Sequence, residues 1–297
     1  MSSSVQTDRP RNAAQDDPVP WAALDAAARR FRTSCGAGEM VWRCWGEGGT
    51  PLVLLHGGAG SWLHWLRTIP AFAADRMVIA PDIPGLGSSA APPDSTPAAI
   101  AGVILEGLEQ VLGHGVQDKD QRERFDIAGF SYGGVLAGFL AGQAGAHVRS
   151  LTLVGSGGLG VPIHRVALER VRDKNGAERD AANRTNLLRW MIADPARIDA
   201  QALAIQDWNS RHARFDSRPI GRGSLLPNEL RKLGIPVTGI WGEQDHAVRG
   251  LLGEVERTLR AIRPEMAFHT IPAAGHWVAY EAPNAFAAIL RAVLGPC

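Results

Sequence analysis

Short apolar segments of strand length recur along this chain, and they constrain the fold more than any other feature. They lie at residues 51–55, 77–80, 125–128, 151–154, 235–241 and 266–271. Several are apolar throughout, which is typical of parallel strands buried on both faces. Helix-length segments separate them, for example residues 96–112, 132–144 and 282–294. The alternation predicts an α/β fold, with a mostly parallel central sheet that helices flank on both sides.

One region interrupts this alternation. Residues 158–232 contain no convincing strand, but they contain helix-like runs rich in Arg, Ala, Leu and Trp, such as residues 183–191. We therefore expect residues 21–157 and 233–297 to form the core, with residues 158–232 as a helical insertion between two strands. Residues 1–20 are polar and predict a disordered leader, and the Ala-rich segment 21–32 predicts a short helix.

Composition narrows the class of partner. The chain has 297 residues, is 45% apolar and carries a formal net charge of +1. That charge favours neither nucleic acid nor an anionic membrane, so a small-molecule substrate is expected, and a homo-oligomer is compatible with it. The sequence contains neither a membrane-span-length apolar run nor a signal-peptide pattern, which predicts a soluble cytoplasmic protein. Its three cysteines, Cys35, Cys44 and Cys297, lack metal-ligand spacing, so we expect no metal and no cofactor.

The segment GFSYG, residues 129–133, matches the pattern G-x-S-x-G. It follows a predicted strand and precedes a small-residue helix, the context in which a sharp turn exposes a serine hydroxyl above a sheet. The alternative is that Ser131 is only a small polar residue in a glycine-rich turn. The context favours Ser131 as a nucleophile.

A serine nucleophile needs a base and a third group that orients the base. His276 follows the strand at 266–271 and precedes a helix, so it is the best-placed histidine. Asp245 follows the strand at 235–241 and should lie at the same sheet edge, with Glu243 as its nearest rival. The order Ser131, Asp245, His276 is the one expected for this architecture.

Acyl chemistry also requires backbone N–H donors for the developing oxyanion. The turn HGGAG, residues 56–60, directly follows a strand, and we assign the two donors to the N–H groups of Gly58 and Tyr132. His56 is expected to support this turn. A second glycine pattern, G-x-G-x-x-G at residues 155–160, is followed by Val161 and Pro162 rather than by a helix, so it predicts an exit into the insertion and not a dinucleotide site.

Together, the motifs HGGAG, GFSYGG, WGEQD and AGHW resemble those of the α/β-hydrolase fold family, from about residue 36 to the end of the chain. The resemblance implies that residues 158–232 are the helical cap that covers the active site in this family. It also implies a serine hydrolase with a Ser-His-Asp triad and a backbone oxyanion hole.

Three local features look like the meta-cleavage product hydrolases, which cut a carbon–carbon bond in vinylogous diketone acids from aromatic degradation. They are Gly275-His276-Trp277, the segment GGLG at 157–160 and the tryptophan-containing segment 62–65. The sequence departs from that group in its shorter oxyanion loop, and in having His64 near the usual asparagine and Gln206 near the usual cap arginine. An ester or such an acid therefore remains open as the substrate.

Several side chains are candidates for substrate binding: His64, Trp190, Trp208 and Trp277, with Arg184, Arg189, Arg211 and Arg214 as candidates to meet a substrate carboxylate. The tryptophans could instead pack the cap, and the arginines could be solvated. A cofactor-free haloperoxidase, an acyltransferase, a dioxygenase and a slow-turnover ligand receptor on the same fold are the alternative functions.

Overall fold

The computed structural model describes residues 19–115 and 124–296, so the predicted leader, 1–20, lies almost entirely outside the described residues. The described strands form one sheet in the order β1-β2-β4-β3-β5-β6-β7-β8. They are β1 (Arg29–Cys35), β2 (Gly38–Trp45), β3 (Leu52–Leu55), β4 (Val78–Pro81), β5 (Phe125–Phe130), β6 (Val148–Val154), β7 (Val237–Gly242) and β8 (Ala267–Ile271). β2 is antiparallel to both its neighbours, and all other pairs are parallel. The predicted mostly parallel sheet is confirmed.

Helices flank this sheet at the predicted places. The longer ones of the core are Pro97–Gly115, Tyr132–Ala144, Leu252–Ile262 and Pro283–Leu294. Apolar residues fill both sheet faces: Leu52 and Leu54 belong to one buried cluster, and Val53 and Leu55 belong to the other. Because successive side chains of a strand point to opposite faces, a strand that is apolar throughout contributes to both layers. This accounts for the apolar runs in the sequence.

The first predicted helix is shorter than expected. Residues 21–32 were expected to be helical, but the helix covers Ala22–Ala26 and β1 begins at Arg29. β1 pairs with β2 along its whole length, from Arg29 opposite Cys44 to Cys35 opposite Gly38. Helix propensity is a weak preference that such pairing overrides, and the polar residues of β1 suit an edge strand.

Buried ion pairs fix strand ends within this core. Asp126, on β5, accepts hydrogen bonds from Arg76 and Arg149, and Asp82, just after β4, accepts one from Arg43. Both aspartates are fully buried, so removal of one partner would leave an uncompensated charge inside the protein. These carboxylates have structural partners, as expected from the sequence.

Between β6 and β7 the described residues contain helices and loops without a strand. The helices are Gly176–Asn186, Ala200–His212, Arg218–Gly221 and Leu226–Lys232, and a π-helical turn covers Leu187–Met191. This segment matches the predicted cap at 158–232. Its last helix contributes the buried Leu226 and Leu230 to the same cluster as Val135 of the core, so it packs directly beside the sheet layer. No helix in the described part of the chain is long and apolar enough to cross a membrane.

Candidate active site

Ser131 lies between the end of β5 and the helix Tyr132–Ala144, in a backbone conformation with φ of 53° and ψ of −114°. A positive φ is uncommon for a residue with a side chain and costs free energy, so the surroundings must hold it. Its neighbours permit the turn because they are small. A Cβ atom on Gly133 would lie 2.3 Å from the carbonyl oxygen of Leu55, so only glycine fits there.

The structure brings His276 to Ser131. The Nε2 atom of His276 lies 3.0 Å from Ser131 Oγ, and its Nδ1 atom lies 2.8 Å from Asp245 Oδ2. A carboxylate beside Nδ1 keeps the proton on that nitrogen and leaves Nε2 free to accept the serine proton. His276 and Asp245 are both buried, which strengthens the interaction between them.

Of the two candidate carboxylates, Asp245 meets His276. Its other oxygen, Oδ1, accepts a hydrogen bond of 2.9 Å from the N–H of Ala247, which fixes the carboxylate plane. Glu243 is exposed and lies on the other side of the turn, where Oε2 accepts from the N–H of Ala273 at 3.3 Å. The geometry therefore favours Asp245 as the group that orients His276.

The turn after β3 lies beside Ser131. Gly58 and Tyr132, the predicted oxyanion donors, both line the same cavity as Ser131. A Cβ atom on Gly58 would lie 3.7 Å from the Cβ of Tyr132, so the two backbone segments are neighbours. The N–H of Gly57 is unavailable because it donates to His64 Nδ1 at 3.2 Å, which leaves Gly58 as the donor from this turn.

His56 supports this turn, as expected. Its Nε2 accepts a hydrogen bond of 2.9 Å from the N–H of Ile83, and its Nδ1 lies 2.8 Å from the carbonyl oxygen of Gly57. The first bond requires an unprotonated Nε2, so Nδ1 carries the proton and the ring is neutral. Burial lowers the pKa of His56 to about 4.

Ser131 and His276 line a cavity of about 560 Å³, whose walls come from both the strand-end turns and the cap. Among the predicted binding residues, His64 and Trp190 line it, and the Trp190 ring centre lies 5.5 Å from that of His276. Gln206 and Phe215 are further cap residues in the lining. The cavity has the size and mixed polarity of a small-molecule site.

Two predicted binding residues do not line this cavity. Trp208 stacks on His212 at 3.9 Å and packs edge-on against Trp21, on another face of its helix. Trp277 is buried, stacks on Tyr280 and donates its Nε1 hydrogen to the carbonyl oxygen of His64 at 2.8 Å. Trp208 thus packs one helix of the cap, and Trp277 holds the backbone of His64 in place.

The arginines at the cavity differ from those expected. Three of the candidates bind elsewhere: Arg184 donates to Ile198, Arg189 to Glu169 and Ala167, and Arg211 to Asp207. Arg214 lines the cavity, but its guanidinium donates to the carbonyl oxygens of Gly87 and Ser89.

Sequence reasoning missed three arginines in the lining, namely Arg172, Arg218 and Arg222. Arg218 is paired bidentately with Asp216, which also raises the pKa of that guanidinium. Arg172 and Arg222 are exposed and make no salt bridge within the described residues. Their position in a loop-rich part of the cap gives no sequence signal, since surface arginines are common there.

Glu281 was also missed, and it joins the cap to the loop that carries His276. Its buried carboxylate accepts hydrogen bonds from the N–H groups of Gly275 at 2.7 Å, Ala193 at 3.0 Å and Asp194 at 2.7 Å. A further hydrogen bond of 2.7 Å runs from the N–H of Trp277 to the carbonyl oxygen of Met191. A glutamate just before a helix looks like a surface residue in sequence, and only the tertiary structure gives it this role.

Other motifs have no site around them. No three or more His, Cys, Asp or Glu side chains within the described residues are grouped to bind a metal ion. The glycine-rich segment 155–160 runs into the cap without opening a helix, and its Gly158 and Gly160 N–H groups bond to Gly221 and Gly223. It lacks the helix N-terminus that a dinucleotide pyrophosphate requires.

Comparison with known proteins agrees with this arrangement. A family model described as the alpha/beta hydrolase family matches residues 52–289, and the chain belongs to this family. It is 30% identical over 273 residues to a 2-hydroxy-6-oxononadienedioate/2-hydroxy-6-oxononatrienedioate hydrolase from Paraburkholderia phymatum, with 84% of this chain and 88% of the relative covered. The predicted resemblance to carbon–carbon bond hydrolases is confirmed at the level of relatives.

Two further likenesses differ in what they cover. The chain is 35% identical over 254 residues to the dihydrolipoyllysine-residue acetyltransferase component of the acetoin cleaving system from Pseudomonas putida. That match covers 80% of this chain but 61% of the relative, less than two thirds of its length. An esterase from Rhodococcus sp. ECU1013 superposes with a TM-score of 0.69 at 24% identity, covering 90% of this chain and 98% of the esterase. At that identity the likeness shows the fold alone.

Proposed function

We propose that this protein is a serine hydrolase in which Ser131 is the nucleophile, His276 the base and Asp245 the residue that orients the base. The observation that carries the proposal is the continuous contact from Ser131 Oγ to His276 Nε2, at 3.0 Å, and from His276 Nδ1 to Asp245, at 2.8 Å. Both distances are within the range that proton transfer requires.

In this mechanism His276 takes the proton of Ser131 while Oγ forms a bond to the substrate carbonyl carbon. The N–H groups of Gly58 and Tyr132 donate to the oxyanion that develops. As the intermediate collapses, the bond to the leaving group breaks and His276 protonates that group. Water, deprotonated by His276, then attacks the acyl-enzyme, and Ser131 recovers its proton.

The substrate in this proposal is a small ester or a vinylogous diketone acid that is cut at a carbon–carbon bond. For the acid, His276 first helps the dienol tautomerise to a ketone, so that the departing carbon is stabilised as an enolate. Arg172 and Arg222 at the cavity support a substrate with a carboxylate. The named activity of the Paraburkholderia relative supports the same class.

A fluorophosphonate probe and a substrate panel test this proposal. We expect stoichiometric labelling of Ser131, read by mass spectrometry of the labelled peptide. We also expect multiple turnovers on p-nitrophenyl esters or on 2-hydroxy-6-oxodienoic acids, whose visible absorbance would disappear on cleavage. Ser131→Ala should lose at least about 10³-fold in kcat, because triad residues act as a unit.

Ser88→Ala is the matched control, since Ser88 is exposed and lies outside the cavity lining. Near wild-type turnover by a folded Ser131→Ala protein would overturn the assignment of the nucleophile. Stoichiometric labelling without repeated turnover on any substrate would instead favour a ligand receptor.

Acyl transfer is a second candidate, and the Pseudomonas relative named as an acetyltransferase component favours it. The acyl-enzyme would pass its acyl group to a thiol or alcohol in place of water, with the same proton transfers through His276. Product analysis with p-nitrophenyl acetate and a dithiol acceptor separates the two. A thioester yield that rises with the acceptor concentration would support transfer, and acetate as the sole product would support hydrolysis.

A further inference from the structure

The ring of His64 has a fixed tautomer. The N–H of Gly57 donates to His64 Nδ1 at 3.2 Å, so Nδ1 must be unprotonated. In a neutral imidazole the other nitrogen then carries the hydrogen, and Nε2 is a donor. Nε2 makes no hydrogen bond to a described residue, and it is not among the fully enclosed polar atoms that lack a partner.

The surroundings of His64 keep it neutral and in place. Its side chain is buried, with rings of Phe130 at 5.3 Å and Trp277 at 5.1 Å on its edges. Burial lowers its pKa well below the usual value, and the nearby rings of His56 and His276 lower it further. The indole of Trp277 holds the carbonyl of His64, so the residue is fixed at both backbone and ring.

The ring also faces the cavity that contains Ser131 and Gly58. Its Nδ1 and Cε1 atoms lie against the Gly57–Gly60 turn, where a Cβ on Gly60 would lie 2.2 Å from Cε1. Since that edge is against the turn, the opposite edge of the ring is the part that can meet a ligand. An N–H donor held rigidly in a buried cavity stabilises a substrate oxygen without reorganisation.

We propose that the Nε2 hydrogen of His64 donates to a substrate oxygen beside the oxyanion turn, as a neutral donor additional to the Gly58 and Tyr132 N–H groups. The inference rests on the proposed function, because it assumes that Ser131 attacks a carbonyl group in this cavity. It gives His64 two tasks at once: Nδ1 positions the turn through Gly57, and Nε2 polarises the substrate.

Nitrogen NMR of protein labelled with ¹⁵N-histidine tests the tautomer without any substrate. We expect His64 to show a protonated Nε2 and an unprotonated Nδ1 from pH 8 to pH 5.5, with its resonances assigned by their loss in His64→Phe. Phosphonylation of Ser131 should shift the Nε2 hydrogen downfield as it meets the phosphonyl oxygen. A protonated Nδ1, or an imidazolium at pH 7, would overturn the proposal.

Two variants test the role in catalysis. His64→Phe keeps a ring but removes both polar atoms, and His64→Asn keeps an acceptor for Gly57 and a donor for the substrate. We expect kcat to fall by about 10²-fold or more in His64→Phe, as for the loss of one oxyanion donor. His64→Asn should recover at least tenfold of that loss, and KM should change little in either.

The outcomes remain distinguishable from those of the proposed function. If the wild type itself has no turnover, the proposed function fails. If the wild type turns over, and folded His64→Phe and His64→Asn proteins have equal kcat, His64 is not a donor and only the further inference fails. Thermal denaturation of both variants establishes folding, and the NMR measurement on the wild type tests the donor even if His64→Phe does not fold.

Discussion

The strand-end turns and the cap enclose the same cavity, but they hold their polar side chains differently. In the turns, Asp245 and His276 are buried and each makes hydrogen bonds that fix its orientation. In the cap, Arg172 and Arg222 reach the cavity as exposed side chains without an ion pair among the described residues. The difference teaches that the reaction chemistry is fixed by rigid turns, whereas substrate selection depends on adaptable side chains.

The largest expected effect tests the rigidity of the turns. Asp245→Asn should lower kcat by about 10⁴-fold, because an amide in place of the carboxylate no longer holds His276 in the productive tautomer. Glu243→Gln is the matched control, two positions away on an exposed part of the same turn, and it should stay within about twofold of the wild type. Kinetics on the best ester of the panel measure both. Equal losses in the two variants would contradict the choice of Asp245.

The next effect concerns stability in acid and again separates the turns from the cap. The pKa of His56 falls from its usual 6.5 to about 4 in the folded protein. The unfolded chain therefore binds a proton at higher pH than the native protein does. The contribution is fully present above pH 6.5 and is lost as the pH falls towards 4, by on the order of 3 kcal/mol at about 1.4 kcal/mol per unit.

Urea denaturation at pH 7 and pH 4.5 measures this loss. His56→Gln should be less stable at pH 7, but its unfolding free energy should fall less steeply with acid than that of the wild type. Parallel pH profiles for the two proteins would mean that His56 does not cause the acid sensitivity.

A smaller effect is expected at the junction of the two regions. Glu281→Gln keeps the shape but removes the charge that accepts from Gly275 and Asp194, so we expect a loss of about 2 kcal/mol in unfolding free energy. Because Gly275 precedes His276, kcat should fall as well. Glu109→Gln, on an exposed helix face, is the control and should change neither quantity. An unchanged melting temperature for Glu281→Gln would show that the junction contributes little.

The smallest effect tests the cap. Replacing Arg172 and Arg222 together by glutamine should raise KM roughly tenfold for acidic substrates and leave KM for neutral esters unchanged, because exposed charges contribute modestly. High salt should reduce the difference between the variant and the wild type. If KM rises equally for acidic and neutral substrates, the arginines shape the cavity instead of recognising a carboxylate.

Sequence patterns predicted the turns better than the cap for a physical reason. GFSYG, HGGAG and WGEQD each combine a strand end with residues that a local turn requires, so their placement follows from nearest neighbours in the chain. The contacts of Trp208, Trp277 and Glu281 depend on segments far away in sequence. The pairing of β1 with β2 was missed for the same reason, since an Ala-rich segment with four arginines has no strand pattern of its own.

Hydrogen bonds between the two regions restrict how molecules can pass. Asn209 of the cap accepts from Ser61 at 2.7 Å, Asp199 pairs with Arg67, and Glu281 holds Ala193 and Asp194. All three lie on the side of the cap that contains residues 193–209. On the opposite side Leu168 lines the cavity, although it is 52% exposed.

The traffic of molecules therefore follows from where the cap is tied down. Substrate enters, and product leaves, past Leu168 and the neighbouring Arg172, because this rim lies opposite the tied side. A bulky residue at position 168 would act on the rate of exchange while leaving the chemical step intact. The cap is then better described as a fixed funnel with one open rim than as a lid that lifts.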